Sequence, residues 1–135
     1  MTGRTTAYRA VVLEHFRHPR NRGTLADPTA SVEGSNPLCG DRIRIELLAE
    51  GDRIADARFT ADACALCIAS ASLLTERVRG MRLAEIDRVD IGWLHATLEG
   101  EPPPARRRCA TLPLDTLKRA VAALPVADFQ RCGTV

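Results

Sequence analysis

Asp62-Ala63-Cys64-Ala65-Leu66-Cys67-Ile68-Ala69-Ser70-Ala71-Ser72 is the point at which the chain changes its hydrophobic period. Upstream, Ala55, Ala57 and Phe59 alternate with Asp56 and Arg58, the period of two expected of a half-buried strand. Downstream, Ile68, Ala71, Thr75 and Val78 share one helical face, so Leu66 to Val78 predicts a helix ended by Gly80. Its run of small residues allows close approach to a neighbour. Cys64 therefore falls at a strand-to-helix junction, where a helix dipole favours a thiolate.

Working back from that junction, Ile43, Ile45 and Leu47 alternate with Arg42, Arg44 and Glu46 in a second strand. Glu50-Gly51-Asp52 supplies a hairpin turn into the strand Arg53 to Thr60. A short strand is expected over Ala30 to Glu33, broken by Gly34-Ser35-Asn36-Pro37. Before it, Tyr8, Val11, Val12 and His15 recur at helical spacing, and Pro19 and Gly23 stop that helix. His15 and His18 read as packing or surface residues.

Working forward, Leu83 to Ile86 and Ile91 to Leu98 predict short helical pieces, the second closed by Gly100, with Trp93 in the core. Pro102-Pro103-Pro104 is a stiff connector. Leu114, Leu117, Val121 and Leu124 stripe a last helix. Pro113 fits that helix only in its first turn, which places Cys109 at or just before the N-terminus. The segment after Pro125, including Cys132, reads as loose.

The 135 residues suit one domain, 1–135, with flexible ends at about 1–5 and 126–135. A hydrophobic content of 45% with 27% charged residues is that of an ordinary globular domain. A net charge of +2 is too small to imply nucleic acid, and the run Arg106-Arg107-Arg108 has no aromatic platform beside it. No apolar run reaches membrane-spanning length, and the N-terminal stretch lacks a signal-peptide core, so a cytoplasmic location is expected. Five cysteines cannot all pair internally. Without a secretion signal they point to metal ligation or thiol chemistry.

Cys39 precedes a strand, Cys64 joins a strand to a helix, and Cys109 opens a helix. Such boundaries allow a scaffold to aim side chains at one spot. Gly40 permits a tight turn that sets Cys39 and Asp41 toward the same atom. Three thiolates and one carboxylate suit tetrahedral zinc, with a net charge of about −2 around a divalent ion. An iron–sulfur cluster prefers thiolates and holds a carboxylate more exchangeably, which suits a site that passes its cargo on. Arg42 and Arg106 to Arg108 flank the ligands and are expected to lower thiol pKa values. Two rival classes stay open. Cys64 and Cys67 fit a thiol–disulfide oxidoreductase pair at a helix N-terminus. A small metal-stabilised binding module would hold zinc without thiol chemistry.

Taken together, these residues resemble the NifU/IscU family of iron–sulfur cluster assembly scaffolds, and within it the SufU-type branch. Tyr8 to Phe16 with Pro19-Arg20-Asn21-Arg22-Gly23 is similar to the family's first helix and its exit. Asn36-Pro37-Leu38-Cys39-Gly40-Asp41-Arg42-Ile43 matches the first cysteine motif. Cys64 with Ala69 to Ser72 and Thr75 matches the second. Pro104-Ala105-Arg106 and Cys109-Ala110-Thr111-Leu112 match the third.

The resemblance implies an α+β fold: an N-terminal helix, a three-stranded antiparallel sheet, and a helical C-terminal half packed on it. It implies metal ligation by Cys39, Asp41, Cys64 and Cys109, with zinc in the SufU-type form. In the IscU-type form the same positions assemble a [2Fe–2S] cluster. It implies a cysteine desulfurase as sulfur donor and downstream assembly proteins or apo-proteins as recipients. Cys109, taken to lie on a mobile arginine-flanked segment, is the expected persulfide acceptor.

The chain departs from the pattern in four places. Cys109 lies 45 positions after Cys64, without the usual SufU-type insertion. Arg108 stands where IscU-type proteins carry histidine. Ala63 replaces a glycine, and Cys67, read as buried, replaces a small polar residue.

Overall fold

Alternation of apolar and charged residues builds the sheet. In the computed structural model the described residues run from Arg9 to Pro125. The expected loose ends, Tyr8 and Cys132 lie outside them. Strands β1 (Ala30–Asn36), β2 (Asp41–Glu50) and β3 (Arg53–Asp62) form one antiparallel sheet in the order β1-β2-β3. Ile43, Ile45, Leu47, Ala57 and Phe59 line its buried face, while Arg42 and Arg44 face outward. Helix α1 (Ala10–Arg17) precedes the sheet; α2 (Ala65–Val78), α3 (Ile91–Thr97) and α4 (Arg107–Ala122) follow it. Short 3₁₀ turns occupy Leu83–Arg88 and Pro104–Arg106. The architecture is the expected α+β arrangement.

Two strand details differ from the sequence expectation. β1 runs through Gly34 to Asn36 instead of breaking there. Gly34 lies under α4: a Cβ at this position would overlap Thr116 Oγ1 and press on Leu112 Cδ1 at 3.1 Å. The glycine thus serves close packing within a strand. In β3 it is Ile54, not Ala55, that is fully buried. A register shift between Leu48 and Ala49 places Ile54 opposite Ala49 and reverses the facing at that end.

Helix α2 is buried on nearly every side, from Leu66 through Thr75 and again at Val78. It packs against α1, α4 and β3, and α4 lies across β1 and β2. The small residues Ala69 to Ser72 make that central position possible. His15 of α1 is buried, with Nδ1 2.7 Å from Ser72 Oγ, and Ser72 Oγ also accepts from the Arg20 backbone N–H at 2.8 Å. Ser72 Oγ thus joins the His15 ring to the backbone that leaves α1. Burial first, then the nearby Arg20 charge, lowers the His15 pKa.

Asp90 caps α3, its Oδ1 accepting the Trp93 N–H at 2.8 Å. Trp93 is half-buried against the core, with Arg77 lying 5.9 Å from its ring centroid. In α4 the expectation for Pro113 fails. The helix starts at Arg107, so Pro113 lies in its interior. Its missing N–H deprives the Cys109 carbonyl of its helical partner. Among the described residues no helix is long and apolar enough to cross a membrane.

Candidate metal centre

The site forms where the β1–β2 turn meets the N-termini of α2 and α4. Asn36, the last residue of β1, organises the turn. Its carbonyl accepts the N–H groups of Cys39 at 3.2 Å and Gly40 at 2.8 Å, and its Oδ1 accepts from Leu38 N–H at 3.2 Å. Gly40 has φ +77, a conformation that favours glycine. The turn holds Cys39 exposed and delivers Asp41 as the first, inward-facing residue of β2.

Cys64 is the N-cap of α2, in extended conformation. Asp41 reaches across to it: Oδ1 accepts the Cys64 N–H at 3.1 Å, and Oδ2 lies 3.6 Å from Cys64 Sγ. A carboxylate from β2 thereby satisfies a free N–H at the start of α2. Ala63 needs no left-handed backbone, since the non-glycine residues with positive φ among those described are Asn21 and Glu99.

Cys109 is the third residue of α4 and is 4% exposed. It is thus enclosed in the first turn of α4, at the helix N-terminus. The ligand atoms of Cys39, Asp41 and Cys109 all lie within 4.8 Å of one another. Cys64 stands outside that mutually close trio, but its Sγ lies 3.6 Å from Asp41 Oδ2 and it raises the Cys109 pKa electrostatically. Sulfurs around a tetrahedral zinc with Zn–S bonds of about 2.3 Å sit roughly 3.8 Å apart. The spacing of Cys39, Asp41 and Cys109 is near that scale, and Cys64 Sγ lies 3.6 Å from Asp41 Oδ2.

The thiol electrostatics run against the sequence expectation for Cys109. Burial first, then donation of its own S–H toward Cys64 and the negative charge of Cys64, Asp41 and Cys39 nearby, push its thiol up to about 12. The arginines do not reverse this, because Arg106, Arg107 and Arg108 are exposed, and Arg107 lies 4.0 Å from Glu101. Cys67, one turn inside α2, is fully buried, and its pKa is raised far above the ordinary thiol range by burial, with Asp41 and the other cysteines adding to it. Such a thiol is a poor nucleophile, which disfavours the Cys64/Cys67 oxidoreductase reading. Cys39, Cys64, Cys67 and Cys109 are all free thiols.

Two contributors were not picked out in the sequence. Asn36 could have been found as an Asn closing a strand four residues before a glycine. The reach of Asp41 to the Cys64 backbone carries no sequence signal, because it joins residues 23 apart.

Comparison with known proteins identifies relatives of this chain. The family described as NifU-like N terminal domain matches residues 7–130. The zinc-dependent sulfurtransferase SufU of Bacillus subtilis is 35% identical over 134 residues, covering 87% of this chain and 90% of that protein. The iron-sulfur cluster assembly scaffold protein IscU 1 of Archaeoglobus fulgidus is 32% identical over 128 residues, covering 95% and 80%. A crystal structure of the N-terminal part of a nitrogen-fixing NifU-like protein from Brucella abortus superposes with a TM-score of 0.72 at 22% identity, covering 86% of this chain and 92% of that one.

Proposed function

This chain belongs to the NifU-like N-terminal domain family, and from that membership we propose that it accepts sulfur from a cysteine desulfurase for iron–sulfur cluster assembly. The observation that carries the reading is the convergence of Cys39, Asp41 and Cys109 within 4.8 Å, with Cys64 against Asp41. Three sulfurs and a carboxylate are a zinc donor set, and the similar SufU carries zinc dependence in its name. Cys39, Asp41, Cys64 and Cys109 would hold the ion, which when bound keeps the sulfurs as thiolates at neutral pH.

The chain's own residues then divide the work. Asp41 stays fixed through its bond to the Cys64 N–H. Cys39, exposed on its turn, is the thiol that a partner reaches most directly, whereas Cys109 is enclosed. We therefore place acceptance at Cys39 in preference to Cys109. The Cys39 thiolate attacks the outer sulfur of the donor's cysteine persulfide. The donor's S–S bond breaks, its cysteine leaves as a thiolate, and a new S–S bond forms on Cys39. Downstream apo-proteins or assembly proteins would receive the sulfur or the cluster.

A second form of the reading has the same three cysteines assembling a [2Fe–2S] cluster. The similarity to a protein named as an IscU scaffold favours it, as does the exchangeable carboxylate. Metal analysis alongside desulfurase turnover tests the proposal. One zinc per chain with faster turnover is expected. Zinc without stimulation would leave a metal-stabilised binding module instead.

A further inference from the structure

The surface beside Cys39 carries an apolar side chain that the fold holds in solvent. Leu38 is 83% exposed; the other large apolar residues exposed among those described, Phe16 and Ile91, are 40% and 38% exposed. Its position does not arise from a slack loop. Leu38 N–H is bonded to Asn36 Oδ1, and the two residues after it are tied to the Asn36 carbonyl. The turn that aims Cys39 at the metal centre thus also fixes Leu38 outward.

We propose that Leu38 is the anchor by which the sulfur donor docks, seated in an apolar socket beside the donor's persulfide cysteine. The inference rests on the sulfur-transfer reading and follows from the reach that reaction requires. The donor's outer sulfur must come within about 3.5 Å of Cys39 Sγ for attack. Leu38 is the next residue in the chain, its Cα about 3.8 Å from that of Cys39. A donor surface that reaches the one thiol must cover the leucine. Burying it completely favours the complex by about tenfold to a hundredfold in affinity. An isolated exposed leucine needs no explanation, but one held rigidly next to the reacting atom is positioned to be covered.

The test titrates the zinc-loaded chain into a cysteine desulfurase and follows sulfide or alanine release. Leu38→Ser is expected to raise the half-saturating concentration about tenfold or more, with turnover at saturation, zinc content and thermal melting unchanged. Leu38→Met is expected to restore most of the loss. If Leu38→Ser half-saturates where the unaltered chain does, while Cys39→Ser abolishes stimulation, the anchor is overturned and sulfur transfer stands. If the unaltered chain gives no stimulation, the sulfur-transfer reading falls and the anchor falls with it.

Discussion

Asp41 has two tasks, and its two oxygens separate them. One oxygen holds the backbone of Cys64; the other lies beside the sulfur. Asp41→Asn keeps an acceptor for the N–H but gives up a charged ligand. It should weaken zinc binding at least about tenfold while leaving the metal-free melting temperature nearly unchanged. Asp41→Ala should lose both, and should also destabilise the metal-free chain by about 1–3 kcal/mol through the stranded N–H. Competition with a zinc chelator and thermal melts of the two variants check this. Equal melting of Asn and Ala variants would show that the backbone bond is unimportant. At this scale the convergence of Cys39, Asp41 and Cys109 was legible in the sequence, because each stands at an element boundary. The exposure of Cys39 and enclosure of Cys109 were not, since solvent access depends on how α4 seats against the sheet.

Elements are held in place by close approaches that bear directly on the site. Gly34 lets α4 lie on β1, and α4 carries Cys109. Gly34→Ala should cost about 1–3 kcal/mol by overpacking against Thr116, and Thr116→Ala in the same chain should recover part of it. Chemical denaturation of the single and double variants measures the coupling. Simple additivity would mean that the two residues do not meet. Strand periodicity was readable for β2 and β3, where charged and apolar residues alternate. It failed at Gly34, because a glycine that admits a helix has the same letter as one that breaks a strand. The helix start was misplaced at Pro113: α4 begins at Arg107 and runs through the proline, packed on β1 and β2. The α1–α2 contact adds a pH dependence. The His15 pKa is lowered, so its contribution is present above the ordinary value of 6.5 and is lost as pH falls below that. Melting temperature should decline below pH 6.5, and His15→Gln should flatten that decline.

At the scale of the molecule, the sheet and helices share one hydrophobic core, from Val12 of α1 to Leu117 of α4. We propose a single domain, which predicts one cooperative unfolding transition by every probe. In the metal-free chain the Cys109 pKa is raised from its ordinary value of 9.0 to about 12. Its contribution to stability is complete below pH 9.0 and is lost as pH rises toward 12. Zinc requires the deprotonated thiols, so uptake should release protons into a weakly buffered solution and should flatten the alkaline loss of stability. Following the transferred sulfur itself tests sulfur acceptance by this chain. The zinc-loaded chain is mixed with a cysteine desulfurase and cysteine, alkylated, digested without reductant, and mapped by mass. One extra sulfur atom is expected on the peptide containing Cys39. An extra sulfur on the Cys109 peptide instead would return acceptance to the enclosed thiol, and no extra sulfur on any peptide while the desulfurase turns over would contradict sulfur acceptance by this chain.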